Sequence, residues 1–316
     1  MTASRSIVLM LLCATAGIAC DQPQQPVNLI AAGEACLRRI GITATAPAAA
    51  RQYQGCQGYE ERFLLAIPPR CTTGGCGLIA DVPGATAPAE NPNLNTGLRE
   101  RTRDLPQPFL VLGVDRPSRT FNQASSNRIF MFMQAIANVF GVDRNRIHIG
   151  GFSNGGSVTF DFVCDPQKAA FIASAAPQAT GGPLGRAICF GTGQTNPNVP
   201  IIYFSGRNDN IASFATQQQT ATRIRQGIGA AAVAPVVVQQ SAIGNVQHLR
   251  FVGTQGRILE TIQYDNIKDP AAGPPNLGGH CYVGPFTPNG GGCTGPAAFQ
   301  NGAKTLEFYL ANPKRR

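Results

Sequence analysis

Ser153 is the residue of this 316-residue chain whose neighbours best suit it to act as a nucleophile. It stands in Gly151-Phe152-Ser153-Asn154-Gly155, after the alternating stretch Arg146-Ile147-His148-Ile149-Gly150 and before a helix-like run from Asn154 to Val163. A serine on a sharp strand-to-helix turn is presented in a strained backbone, and glycines two positions to either side let neighbouring chain approach without a Cβ clash. With 36 glycines present, the motif draws its weight from context: the turn Asp143-Arg144-Asn145, the strand after it and the helix pattern beyond.

A serine hydroxyl needs a base within hydrogen-bond reach, and that base needs a carboxylate to orient it. On an elbow of this kind the partners follow in chain order serine, acid, histidine. The chain has three histidines. His148 lies in the strand feeding the elbow and His248 in the alternating run Val246–Val252, so both read as strand residues. His280 stands in the glycine-flanked loop Leu277-Gly278-Gly279-His280-Cys281, and is expected as the base. Asp209 follows the apolar run Pro200–Ser205 in a polar turn and is the expected acid, ahead of Asp265 and Asp269, which read as solvated loop acids. The oxyanion of a tetrahedral intermediate needs two N–H donors. One is expected from Asn154 and the second from the segment Asp81–Thr86, with Ala85 or Thr86 as donor. Such chemistry requires no metal and no organic cofactor.

Strand and helix patterns alternate along the chain, which predicts a mostly parallel sheet flanked by helices in one domain. Strands are expected at Arg62–Ile67, Gly77–Val82, Pro108–Val114, Arg146–Gly150, Phe171–Ala176, Pro200–Ser205 and Arg257–Tyr264. Helices are expected at Asn95–Thr102, Ser126–Val139, Asn154–Val163, Phe214–Gln226 and Pro296–Leu310. Phe130, Met131, Met133, Ile136, Val139 and Phe140 recur at near-helical spacing and read as core. Gly/Pro-rich stretches at Thr180–Pro200 and Asp269–Thr294 read as long loops shaping a cleft.

Residues Met1–Ala19 combine Arg5, the apolar run Ile7–Leu12 and small residues, the pattern of an export signal too short to span a membrane. Gly17-Ile18-Ala19-Cys20 approximates a lipoprotein box, so Cys20 is a candidate lipid anchor, and 20–34 reads as a flexible leader. Setting Cys13 and Cys20 aside leaves eight cysteines for an oxidising compartment, secreted or periplasmic in a bacterium. Eight can pair in about a hundred ways, but short loop closure favours Cys36 with Cys56, Cys71 with Cys76, Cys164 with Cys189 and Cys281 with Cys293. The rival, a zinc site, lacks any Cys-x-x-Cys pair. A net charge of +9 would suit nucleic acid, yet the basic residues are scattered and cluster only at Lys314-Arg315-Arg316, so no nucleic-acid partner is expected. That charge could instead draw an exported protein towards anionic wall or particle surfaces.

Three passages together carry a family resemblance: Gly74–Thr86 with Asn95-Thr96-Gly97-Leu98-Arg99, the elbow Gly150–Gly156, and Gly278-Gly279-His280-Cys281. In order and content they resemble the secreted polyhydroxybutyrate depolymerase and feruloyl esterase-like branch of the α/β-hydrolases. The resemblance implies an α/β-hydrolase catalytic domain over 35–316, working as a monomer on ester bonds with Ser153 as nucleophile, Asp209 as acid and His280 as base. Hydroxyalkanoate polyesters or oligomers are the substrates it implies first, with feruloyl or other small plant-wall esters as the alternative. The chain departs from the branch at Pro83-Gly84, where His-Gly is usual, which leaves a binding protein without turnover as a further reading, besides a serine peptidase on the same scaffold. It also lacks tryptophan and a separate polymer-binding module, which favours soluble esters over crystalline polymer.

Overall fold

The computed structural model describes residues 27–314 except 48, 119, 192–196, 269–277 and 289–290. The predicted export signal, Cys20 and Asp269 lie outside the described residues. Among the described residues ten strands form one sheet: β1 (Arg51–Tyr53), β2 (Arg62–Ala66), β3 (Gly77–Val82), β4 (Phe109–Asp115), β5 (Ile147–Phe152), β6 (Ser174–Gln178), β7 (Ile201–Gly206), β8 (Val236–Ser241), β9 (Val246–Val252) and β10 (Ile258–Tyr264). Their order is β1-β2-β4-β3-β5-β6-β7-β10-β9-β8. The central pairs from β4 to β10 are parallel, and the flanking pairs β1–β2, β2–β4, β10–β9 and β9–β8 are antiparallel.

The central strands are buried on both faces, and the period-2 rule shows how. Along β4, Leu110, Leu112 and Val114 enter one core and Phe109 and Val111 the other; along β7, Ile201 and Tyr203 oppose Ile202 and Phe204. Helices α1 (Leu29–Ile40), α4 (Gln123–Val139), α5 (Asn154–Cys164) and α7 (Phe214–Gly227) contribute Leu37, Phe132, Phe162 and Ile224 to the first core. Helices α3 (Leu98–Arg103) and α8 (Asn301–Ala311) contribute Leu98, Leu306 and Tyr309 to the second. Two short helices, α2 (Asn91–Thr96) and α6 (Pro166–Phe171), complete the set. The expected stripe on α4 is core: Phe130, Met133, Ile136 and Phe140 are buried, and Met131 and Val139 pack half-buried against them.

Several boundaries differ from expectation for local reasons. Residues 29–34, expected in a flexible leader, belong to α1, which Asn28 caps and which packs on α4. The single helix expected over Asn95–Thr102 is broken by Gly97, whose left-handed φ of 61° ends α2 before α3 begins. The strand expected from Phe171 starts at Ser174, because Asp165 accepts from the N–H groups of Gln167 and Lys168 and nucleates α6 through Phe171. The closing helix begins at Asn301, not Pro296. Strand β8 lacks a periodic buried face and exists through its pairing with β9.

All four favoured cysteine pairs are disulfides: Cys36–Cys56, Cys71–Cys76, Cys164–Cys189 and Cys281–Cys293. The longer of the loops they close restrain the unfolded chain by about 3 kcal/mol each. Among the described residues no helix is long and apolar enough to cross a membrane.

Candidate active site

The chain leaves β5 at Phe152, turns through Ser153 and enters α5 at Asn154. Ser153 has φ 54° and ψ −115°, a combination sparsely populated by residues with a Cβ. The turn closes so tightly that a Cβ on Gly155 would lie 2.2 Å from the Val82 carbonyl oxygen, and one on Gly151 2.4 Å from the Gly155 oxygen. Both glycines flanking the motif are therefore demanded by close backbone approach. The Ser153 N–H donates to the Gln178 carbonyl at 2.9 Å, pinning the turn to the end of β6.

Asp209 follows β7 at the same carboxyl edge, and its buried carboxylate is the hub of a hydrogen-bond fan. Oδ1 accepts from the N–H groups of Ile211 and Ala212, each at 2.8 Å, and Oδ2 from Gln217 Nε2 at 3.0 Å. His280 Nδ1 lies 2.9 Å from Oδ2 and 3.1 Å from Oδ1. With Nδ1–H donating to the carboxylate, Nε2 is the ring nitrogen left to accept a proton. The imidazole rests against the ring of Phe152, the residue before Ser153, at 4.8 Å between centroids, and Phe152 in turn stacks on Tyr282 at 4.4 Å. The loop bearing His280 is held by the Cys281–Cys293 disulfide, by Tyr264 OH donating to the Cys281 carbonyl at 2.8 Å, and by the Gly279 N–H donating to the Asn208 carbonyl at 2.7 Å.

On the other side of Ser153 runs the loop after β3. A Cβ on Gly84 would sit 3.4 Å from Ser153 Cβ, so this loop borders the serine directly. Ala85 and Thr86 are exposed there, Thr86 with a φ of 66°. Just before it, Asp81 is buried at the end of β3 and accepts from Thr96 Oγ1 at 2.8 Å. Burial pushes its carboxyl up to about 6, against the lowering influence of the Thr96 hydrogen bond and the Arg99 charge.

The remaining candidates are engaged elsewhere. His148 Nδ1 pairs with Ser174 Oγ at 2.8 Å and its ring stacks on Tyr309, where burial lowers its pKa to about 3. His248 Nε2 meets Glu260 Oε2 at 2.7 Å across β9 and β10. Asp265 binds Arg207 at 3.0 Å and Asn245 Nδ2 at 2.8 Å. A cleft of about 440 Å³ lies at the opposite, amino edge of the sheet, lined by Ile172, Val199, Pro200 and Ile258, and contains none of the residues above. Sequence reasoning does not single out Phe152 or Gln217 as site residues, and places Asp81 only at the start of the expected oxyanion segment; Asp81 alone has a signal, as the one charge in the otherwise uncharged strand Gly77–Val82.

No protein-family model matches the sequence, and neither does any curated protein. Among solved structures, an acetyl xylan esterase from Aspergillus awamori is similar with a TM-score of 0.55 at 12% identity, over 83% of this chain and 99% of that one. A thermostable esterase matches with a TM-score of 0.44 at 16% identity over 56% of this chain, which spans about half (51%) of that protein's length. Thermogutta terrifontis esterase 2 phosphorylated by paraoxon matches with a TM-score of 0.44 at 16% identity, over 58% and 80% of the two chains. The architecture is that of the α/β-hydrolase fold.

Proposed function

We propose that this chain is an exported serine carboxylester hydrolase that works through an acyl-enzyme intermediate. The observation that carries the reading is the His280–Asp209 pair, with contacts of 2.9 and 3.1 Å, whose imidazole lies on the residue preceding a strained elbow serine. Ser153 Oγ attacks the ester carbonyl while His280 Nε2 takes its proton. Asp209 stabilises the imidazolium through Nδ1 and keeps the ring in the required tautomer. The Asn154 N–H and a second N–H from Ala85 or Thr86 receive the oxyanion, each such donor being worth on the order of a hundredfold to a thousandfold in rate. His280 then returns the proton to the leaving alcohol, and water releases the acyl group by the reverse sequence.

Four disulfides support export to an oxidising compartment. Soluble hydroxyalkanoate oligomers are the first substrates to try, on the sequence resemblance, with methyl ferulate as the comparison. Ser153→Ala should lower hydrolysis of a p-nitrophenyl short-chain ester by roughly a millionfold in kcat and abolish labelling by a fluorophosphonate. Full activity in that variant would end the proposal, and a wild-type protein that takes no label would favour a binding role on the same scaffold.

A further inference from the structure

Asn154 has a side chain whose work differs from that of its backbone. Its Oδ1 accepts from the Phe121 N–H at 2.6 Å and its Nδ2 donates to the Phe121 carbonyl at 3.3 Å. The amide thus engages both backbone groups of one residue, as a paired strand would. Phe121 is buried and directly precedes Asn122, the N-cap of α4, so the grip falls on the segment joining β4 to α4. Two helical turns further along α5, on the same face, Asp161 Oδ2 accepts from Gln123 Nε2 at 2.9 Å and Ser126 Oγ at 2.6 Å. Asp161 also holds the buried Lys168 at 2.6 Å and pairs with Arg186.

The start of α4 is therefore fastened to α5 at two heights. The Asp161 attachment is buried beneath the elbow, whereas the Asn154 attachment is at the elbow itself. Strand order gives the upper one its meaning. Because β4 and β3 lie on one side of β5 and β7 on the other, Phe121, held on Asn154 at the carboxyl edge, belongs to the side of Ser153 opposite Asp209.

We infer that Asn154 is a positioning residue: its side chain fixes Phe121 and the chain entering α4 as one wall of the ester-binding cleft, and so limits the size of the group accepted on that side of Ser153. This rests on the esterase reading above, and names which part of the same site selects among esters.

Two variants and two measurements test it. Asn154→Ala loses both bonds; Asn154→Asp keeps the acceptor for the Phe121 N–H but places a negative charge beside the proposed oxyanion. Amide hydrogen exchange over 116–122 should accelerate at least tenfold in Asn154→Ala and less in Asn154→Asp, a result independent of any activity. With p-nitrophenyl esters of increasing acyl and alcohol size, Asn154→Ala should lower kcat roughly tenfold and flatten the preference among sizes. Asn154→Asp should lower kcat further, roughly a hundredfold, while melting above Asn154→Ala. That inversion between stability and kcat is what a purely structural role would not produce.

Unchanged exchange over 116–122 overturns the inference, whether or not the wild-type protein hydrolyses esters. So does an unchanged size preference in an active Asn154→Ala variant, or loss of kcat that follows melting temperature through both variants. A wild-type protein without esterase activity but with the predicted exchange response refutes the esterase reading and the selectivity built on it, and leaves the grip itself established.

Discussion

Replacing Asp81 with asparagine should stabilise the protein at neutral pH, although it removes a buried group within a residue or two of the loop that borders Ser153. The carboxyl is 5% exposed in a strand with no other charge, and burial raises its pKa from 3.8 to about 6. An acid with a raised pKa in the folded state binds its proton more tightly folded than unfolded. Its favourable contribution is complete below pH 3.8 and is lost as the pH rises through about 6. The gap corresponds to about 3 kcal/mol at ~1.36 kcal/mol per pH unit. Asparagine has the same shape and no charge to desolvate; its Oδ1 can still accept from Thr96 Oγ1. The buried hydroxyls of Tyr282 and Tyr309, near enough for the Asp81 charge to raise their pKa, have no hydrogen-bond partner among the described residues, so an amide at position 81 removes an unfavourable charge from their surroundings. Arg99 is not orphaned, since Glu90 pairs with it at 2.5 Å. Urea unfolding with disulfides intact should show Asp81→Asn more stable by up to about 3 kcal/mol at pH 7.5, with the difference shrinking towards zero by pH 3.5. A variant less stable at pH 7.5, or a difference that does not narrow on acidification, would show that Asp81 is held by favourable partners and not penalised by burial.

Gly155→Ala should disable the elbow, because the added methyl would fall 2.2 Å from the Val82 oxygen and 2.5 Å from the Pro83 oxygen; we expect a loss of about 3 kcal/mol or more with loss of fluorophosphonate labelling, and a stable, fully labelled variant would refute the tight crossing of α5 over β3. His148, lowered from 6.5 to about 3 by burial, contributes stability that is present above pH 6.5 and lost as the pH falls through about 3. His148→Gln should therefore flatten the acid side of the unfolding curve by about 1.4 kcal/mol per pH unit between pH 6 and 4, and an unchanged slope would mean that His148 titrates freely in the folded protein.

What was legible in the chain divides along a physical line. Ser153 and His280 stand out as candidates because the proposed chemistry asks for uncommon residues: with three histidines present and two of them in alternating strands, the third has little competition. The disulfides were readable because contour length governs which cysteines meet, and each pair is separated by 25 residues or fewer. Strands β3, β4 and β7 are legible as largely apolar runs, as buried parallel strands are, and β5 as an alternating one. Other features had local signals that were outweighed: Asn28 and Gly41 bracket α1, and Asp165-Pro166 opens α6, yet a polar leader and an apolar run suggested otherwise.

The supports of the candidate site had no local signal at all. Gln217 reaches Asp209 from the first turn of α7, Phe152 carries the His280 imidazole, and Asn154 grips a backbone 33 positions away. Each is a common residue type doing uncommon work only because the sheet order brings distant segments together. The same holds for β8, whose Val236, Val237 and Val238 are exposed and which is a strand solely through its ladder with β9. Sequence therefore points to the residues proposed to make and break bonds and is silent on the scaffold that aims them. It follows that substitutions at Phe152, Gln217 and Asn154 should alter rate and selectivity while leaving the identity of the reaction untouched, whereas changes at Ser153, Asp209 or His280 should remove it.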